Sequence, residues 1–190
     1  MKKSLGADTL AYPLPLYLLG TYAPNGQPNI MALAWTGIVS SVPPTIMVGV
    51  MPSRLTHEGI VKNQAFTVNF PNSALAAKAD YAGLVSGRQH DKFAELGLTP
   101  VESTLVKAPY VAECPVAAEC RVISMAEVGD HTMFVGEILD IKAEEDLSGA
   151  DGGLDVLKVD PVVFNYMGDY HRVGPSLGKS FSCGLVYKKK

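Results

Sequence analysis

Charged residues are missing from a long part of the sequence. No Asp, Glu, Lys or Arg occurs between Asp8 and Arg54. Prolines at positions 24, 28, 43 and 44 leave 29–42 as the longest proline-free piece, which is shorter than the roughly 20 apolar residues that cross a bilayer. The stretch therefore indicates buried strands and not a membrane span. Each strand is expected to have the core on one face and a second subunit, a ligand or the protein's own helices on the other.

An excess of basic charge is also absent, and cysteine is scarce. Sixteen Lys and Arg against nineteen Asp and Glu give a net charge of -3, whereas proteins that displace counterions from nucleic acids need a positive excess. The three cysteines, at positions 114, 120 and 183, form no C-x-x-C pair, and the histidines show no ligand spacing. Neither nucleic acid nor a metal is expected to bind. The cysteine usage, and an N-terminus without the apolar segment of a secretory signal peptide, fit a reducing, cytoplasmic setting.

Several motifs of nucleotide, metal and acyl chemistry are absent or broken. The segment G-P-S-L-G-K-S at 174–180 has three residues between its glycines, where a phosphate-binding P-loop has four. His57 begins an H-E-x-x-H pattern, but Val61 stands at the second ligand position. No G-x-G-x-x-G joins a strand to a helix, and G-x-S-x-G does not occur. P-loop, Rossmann, zincin and α/β-hydrolase functions are therefore excluded.

The rest of the composition is that of one globular domain, assigned to 1–190. Hydrophobic residues make up 47% of the chain, and 18 Gly with 13 Pro indicate many turns between short elements. The patterns predict strands at 16–22, 29–36, 45–51, 66–70, 117–128, 132–143 and 162–166. They predict helices at 55–63, 73–84 and 90–96, the first capped by Ser53 or Thr56. A type II′ turn at Gly129-Asp130 is expected to join the two longest strands. This order favours a mainly β fold, a β-barrel with added helices.

A group of hydrogen-bond donors marks a candidate anion site. Ser53, Arg54 and Thr56 lie where a buried strand meets the start of a predicted helix, which offers hydroxyls, a guanidinium and free backbone N–H groups. A second donor-rich loop, 86–88, precedes Lys92. Two such loops suit a phosphomonoester and the ring attached to it. The alternative for the first segment is a helix cap with a solvated arginine.

Trp35, the only tryptophan, is open to two interpretations. It is either a core residue or the wall of a site for a flat aromatic cofactor, because its indole offers a π-face for stacking. His131, at the hairpin corner, and Tyr166, Tyr170 and His171 are equally compatible with surface positions.

A series of short segments follows in a fixed order. They are N-I-M-A-L-A-W at 29–35, P-P at 43–44, S-R-L-T at 53–56, F-T-V-N at 66–69, S-G-R at 86–88, D-K-F at 91–93, E-C at 119–120, G-D-H at 129–131, G-E at 136–137, and Phe164 before Tyr170. Over 17–172 this series resembles the flavin reductase-like family of FMN-binding split barrels, and within it the flavoredoxin-like members. The resemblance implies a Greek-key split barrel that binds FMN.

The resemblance also implies a set of cofactor-binding residues. The phosphate would lie among Ser53, Arg54 and the neighbouring loop, and the strand 29–36 would run beside the ribityl chain and ring. The residues around the isoalloxazine would be Trp35, Thr56, Lys92, His131 and Phe164, and a second subunit would supply part of the ring site. The implied set is Asn29, Met31, Ala32, Ala34, Trp35, Thr36, Ser53, Arg54, Thr56, Asn69, Ser86, Gly87, Lys92, His131 and Phe164. No side chain is expected to be catalytic, because the flavin N5 is the reactive centre.

The implied function is that of a cytoplasmic, homodimeric FMN protein that carries electrons between redox partners. One alternative is an NAD(P)H-dependent flavin or ferric reductase, although no residue set for the adenosine half of that nucleotide is identified. Another is a flavin-free binding or interaction domain built on the same barrel.

Overall fold

The computed structural model describes residues 1–149, 152–165 and 168–188. Its strands are β1 (Leu14–Pro15), β2 (Tyr17–Tyr22), β3 (Pro28–Leu33), β4 (Thr36–Ser41), β5 (Pro44–Val50), β6 (Ala65–Phe70), β7 (Pro100–Glu102), β8 (Pro109–Val111), β9 (Val116–Val128), β10 (His131–Ala143), β11 (Val162–Phe164) and β12 (Tyr170–Arg172). Its α-helices are α1 (Leu55–Asn63), α2 (Ala76–Leu84), α3 (Lys92–Leu96) and α4 (Val156–Val159), and 3₁₀ turns occupy Ser73–Leu75, Glu145–Leu147 and Cys183–Tyr187.

Seven strands form one antiparallel sheet that curls towards closure. Their order is β3-β2-β6-β9-β10-β5-β4. The two edge strands, β3 and β4, are consecutive in the chain and are separated only by Ala34 and Trp35. Because three peptide steps span at most about 10 Å, this short connection holds the two edges of the sheet together. The result is a barrel, with the smaller sheets β1-β11-β12 and β7-β8 beside it.

The barrel interior is filled by apolar side chains from the strands around it. This cluster consists of Leu19, Leu33, Ile46, Val48, Val50, Ile60, Phe66, Val68, Ala118, Cys120 and Phe134. At Gly136 of β10 a Cβ would come to 2.5 Å from the Phe66 ring, so this position has no room for a side chain. The ladder between β9 and β10 shifts register beside Gly136, as a bulge in a curving sheet does.

A second apolar cluster lies outside the barrel, between its wall and the helices. It consists of Leu16, Leu18, Ile30, Leu75, Ala79, Ala82, Phe93, Leu98, Val111, Cys114 and Val162. The outer faces of β2 and β3 are therefore covered by α2 and α3. For these two charge-free strands, the protein's own helices provide the second covered face.

The charge-free strand β4 has no such cover. Ile38 is 70% exposed and Val42, just beyond the strand, is 87% exposed, while Val39 is also exposed. A second exposed apolar group lies on the outer half of β9, at Ile123, Met125 and Val128. Among the described residues, no helix combines the length and the apolar character needed to cross a bilayer.

Several predicted elements differ from the structure. The strand predicted at 29–36 ends at Leu33, because the chain bends at Trp35 to reach the other sheet edge, and β4 was not predicted. The prediction of a Ser53 or Thr56 cap is wrong, because the N-cap of α1 is Arg54 and no side chain caps it. The helix predicted at 73–84 begins as a 3₁₀ turn, and the one at 90–96 begins only at Lys92, after the Asp91 cap.

The hairpin prediction agrees more closely with the structure. β9 and β10 pair along their length, and Gly129 has a φ of 59°, as a Gly-first turn requires. The last predicted strand is present as β11, whereas Tyr166 lies outside the described residues. The short strands β1, β7, β8 and β12 and the helix α4 carried no pattern strong enough to predict.

Candidate functional site

A small cavity of about 120 Å³ lies where β3, the β5–α1 connection and the end of α2 meet. Nine residues of the implied set line it, namely Asn29, Met31, Ala32, Ser53, Arg54, Thr56, Ser86, Gly87 and Lys92. The chain thus brings together groups that are up to 63 positions apart in the sequence (29 to 92). Thr56 and Lys92, which the resemblance placed around the isoalloxazine, lie here beside Ser53 and Arg54.

Lys92 is a buried cation that has no carboxylate partner among the described residues. Its side chain is only 5% exposed, and its Nζ donates a 2.6 Å hydrogen bond to the Ala82 carbonyl. Burial, together with the charge of nearby Arg54, lowers the pKa of Lys92 to about 8. Neither Lys92 nor Arg54 forms an ion pair within the part of the chain that the structure describes. Buried charges are normally paired, so this cavity is suited to an anion.

The start of α1 adds backbone donors to the same cavity. Arg54 is the N-cap with extended backbone angles, and no side chain bonds to the first turn. The first N–H groups of such a helix have no partner within the helix and carry a partial positive charge. Together with two cationic side chains they form an anion site of the kind found at helix N-termini.

The cavity wall is held by a buried hydrogen bond and a tightly packed glycine. Asn29 Nδ2 donates to Thr56 Oγ1 over 2.8 Å, which leaves the threonine hydroxyl proton free to donate to a ligand. A Cβ at Gly87 would overlap Asn29 Oδ1 and would lie 3.1 Å from Leu55 Cδ2. The loop 86–88 therefore rests directly on β3 and α1. The ion pair of Arg88 with Glu58, at 2.6 Å, fastens the same loop to α1.

A second cluster of predicted residues, Trp35 and His131, lies outside this cavity. The rings of Trp35 and His131 are 4.3 Å apart at an angle of 37°. Both lie over Gly49 of β5, whose Cβ would be 3.6 Å from Trp35 and 3.8 Å from His131. Asp130 accepts a 2.7 Å hydrogen bond from His131 Nδ1, whose side chain is 17% exposed. Trp35 is thus a half-buried stacking residue and belongs to neither core cluster.

This cluster is connected to the cavity by two chain segments. From Gly49 to Ser53 is four residues, a span of at most about 14 Å. β3 also runs from Asn29 in the cavity towards Trp35. Ala34 and Thr36 flank Trp35, and Thr36 Oγ1 donates to the Met47 carbonyl at 2.7 Å.

Two predicted residues lie elsewhere. Asn69 is fully buried, its amide donates to the Leu18 carbonyl and to Thr67, and it accepts from the Val111 N–H. All its hydrogen-bonding groups are therefore engaged in the fold, and the structure does not bring it to the cavity. Phe164 pairs in the small sheet with its ring 5.5 Å from Tyr170, and it packs against the outer apolar cluster.

The sequence prediction missed four residues that line the cavity: Leu55, Ala82, Gly83 and Val85. Ala82 matters most, because its carbonyl accepts the bond from Lys92. Gly83 allows α2 to approach β3, since a Cβ there would lie 3.0 Å from the Ala32 Cβ. The run of small residues at this helix end was the only available signal, and it also fits an ordinary packed helix.

The family is decided by the match along the sequence. Residues 9–174 match the family model described as the flavin reductase like domain. The chain belongs to this family. Its fold is the split barrel of flavin reductase-like proteins, so the expected family and the expected fold are confirmed.

Solved structures and curated relatives agree with this membership. Flavoredoxin of Desulfovibrio vulgaris (Miyazaki F) is 50% identical, with a TM-score of 0.92 over 97% of this chain and 100% of that one. Flavoredoxin from Methanosarcina acetivorans is 36% identical, with a TM-score of 0.91 over 98% of each chain. FMN reductase (NADH) RutF of Pseudomonas syringae pv. syringae is 27% identical over 70% of this chain and 71% of that protein.

Proposed function

We propose that this protein is an FMN-containing flavoprotein that carries electrons between redox partners, as its flavin reductase-like family and its likeness to flavoredoxins support. The observation that carries the proposal is the buried, unpaired Lys92 beside Arg54 at the start of α1. A dianionic phosphomonoester is the complement of this site, because it supplies the counter-charge that both cations lack.

The phosphate is held by this chain's own donors. An ammonium has three N–H donors, and the Ala82 carbonyl takes one from Lys92. Two N–H donors of Lys92 therefore remain for a ligand. The same cavity is lined by Arg54, which offers a guanidinium, and by Ser53 and Thr56, which offer hydroxyls. The first N–H groups of α1 complete the site.

The ring end of the cofactor belongs near the Trp35–His131 cluster. β3 and the β5–α1 connection both lead from the phosphate cavity to this cluster. The indole face of Trp35 offers stacking, and His131 is fixed by Asp130. The isoalloxazine, when bound, supplies reversible one- and two-electron chemistry, and the residues around it set its exposure and its electrostatic environment.

A homodimer covers the exposed apolar surface of β4. Ile38, Val39 and Val42 form a charge-free edge beside the Ala34-Trp35 connection, and contiguous exposed apolar surface marks an interface. A second copy seated there would lie next to the Trp35–His131 cluster. The three cysteines are unpaired thiols, which is consistent with a reducing, cytoplasmic location.

The cofactor proposal is tested by the absorption spectrum of the purified protein and mass identification of any flavin released on heating. The protein is expected to be yellow and to release FMN. Arg54→Ala is expected to bind FMN at least about tenfold more weakly, because a charge-assisted contact is lost. Arg121→Ala, on β9 and paired with Glu137, is the matched control. A colourless protein that binds no added FMN would favour the flavin-free interaction domain.

Electron carriage is separated from reductase activity by steady-state kinetics. The carrier is expected to oxidise NADH and NADPH slowly and to accept electrons rapidly from a ferredoxin-type donor. Rapid oxidation of either nucleotide with free flavin as acceptor would instead identify a reductase, the activity for which RutF is named.

A further inference from the structure

The phosphate cavity shares a wall with a larger open groove. The groove has a volume of about 780 Å³ and runs between the β2–β3 turn, α1, the 87–91 loop and α3. Asn29, Leu55 and Gly87 line both the groove and the phosphate cavity. These three residues therefore form a partition between the groove and the phosphate cavity.

The partition is closed by close packing. Gly87 rests so closely on Asn29 that even a Cβ would overlap the amide oxygen. Asn29 is itself fixed by its bond to Thr56, and the loop that carries Gly87 is fastened by the Arg88–Glu58 ion pair. Neither side of the partition is free to swing away in the folded chain.

We infer that the partition formed by Asn29, Leu55 and Gly87 selects FMN over FAD by closing the phosphate cavity behind the phosphate. This inference rests on the proposed FMN site. In FMN the phosphate ends the molecule, so nothing has to pass the partition beyond it. In FAD the phosphate continues into a second phosphate and adenosine, and the partition separates these groups from the groove that has room for them. A cavity of about 120 Å³ is well below the roughly 300–1,000 Å³ that enclose a drug-sized group.

The groove beyond the partition has the size and chemistry for the excluded adenylate. Its volume of about 780 Å³ lies within the range of ligand sites. Phe93 and Leu98 contribute apolar surface, and the amides of Asn25, Gln27 and Gln89 lie along it. Amide side chains match the donor and acceptor edge of adenine. Removal of the partition would therefore join the phosphate cavity to a space that accepts adenosine.

The test compares FMN and FAD dissociation constants, measured by calorimetry on protein stripped of flavin. The wild-type protein is expected to bind FAD at least about tenfold more weakly than FMN. Asn29→Ala opens the partition, and the ratio of the two constants is expected to fall by about tenfold even if FMN affinity itself declines. Leu55→Ala opens the same partition from the side of α1. It provides the same measurement if Asn29→Ala does not fold.

Two further variants locate the effect in the groove. Asn25→Ala changes the groove but not the partition, so it is expected to keep the wild-type ratio. Adding Ala94→Trp to Asn29→Ala fills the groove from α3 and is expected to restore the selectivity for FMN. Equal affinity of the wild-type protein for both flavins, or an equal loss of both in Asn29→Ala and Leu55→Ala, would overturn the inference while leaving the FMN site in place. Failure of the wild-type protein to bind FMN would overturn both.

Discussion

If Lys92 holds the FMN phosphate as proposed, FMN affinity is expected to depend on pH in a direction that the position of Lys92 determines. Burial and the Arg54 charge lower its pKa to about 8 in the free protein, and a bound phosphate dianion raises that pKa again because it stabilises the ammonium. Binding therefore takes up a proton wherever Lys92 is deprotonated in the free protein. The affinity for FMN is therefore expected to be highest well below pH 8 and to fall as the pH rises through that value.

The magnitude comes from the same pKa. With a free-protein pKa of about 8, the fraction of protein that carries the ammonium falls from about nine-tenths at pH 7 to about one-tenth at pH 9. The FMN dissociation constant is therefore expected to rise about tenfold over this interval. The phosphate contributes little to the change, because the second pKa of a phosphomonoester is near 6.

Calorimetric or fluorescence titrations of FMN at pH 7, 8 and 9 measure this rise directly. Lys92→Met keeps the length of the side chain, and it is expected to bind FMN at least about tenfold more weakly at pH 7. Its affinity should also lose the pH dependence. Lys107→Met, in the exposed β7–β8 loop, is the matched control and should behave as the wild type. A flat wild-type profile, or the same slope in Lys92→Met, would refute the reasoning.

Three further changes test the site, the barrel and the dimer. Gly87→Ala is expected to weaken FMN binding about tenfold or more, since its Cβ would displace the loop from Asn29; Gly174→Ala, which meets open space, should not, and equal affinities would contradict the packing argument. Gly136→Ala is expected to lower the free energy of unfolding in urea by about 1 to 3 kcal/mol, because the Cβ would enter the space of the Phe66 ring; an unchanged midpoint would show that the barrel can yield there. Val39→Lys is expected to convert the proposed dimer into monomers in sedimentation velocity, because it places a charge in the proposed interface; a lysine variant that remains dimeric would place the interface elsewhere.

The sequence was most informative where one local pattern had one structural solution. The two long strands and their Gly129 turn are strongly patterned, and both are present as predicted. The donors Ser53, Arg54 and Thr56 lie within four residues, so their meeting at one helix start followed from the chain itself. Lys92 joined them only through the resemblance and the second donor loop, because no local pattern brings residue 92 to residue 54.

The bend at Trp35 shows why other parts of the fold could not be predicted from the sequence. By propensity the stretch from Asn29 to Thr36 is one strand, and its period gives no reason to stop at Leu33. The strand ends there because β3 and β4 lie on opposite edges of one sheet, and the chain must turn to close the barrel. That constraint comes from pairings with β2 and β5, which are not local.

The same closure explains how one charge-free stretch supplies three surfaces. β3 faces the phosphate cavity, the bend presents Trp35 to His131, and β4 leaves its apolar side exposed. An ionised side chain at the buried positions of β3 or at the bend would face the barrel core or the aromatic cluster, and either position would impose a desolvation cost on the charge. The first cation after this stretch appears where the chain leaves β5, at Arg54, and there the proposed phosphate would compensate its charge. The charge-free stretch and the cation that follows it therefore fit the proposed placement of FMN, whose charged end is its phosphate.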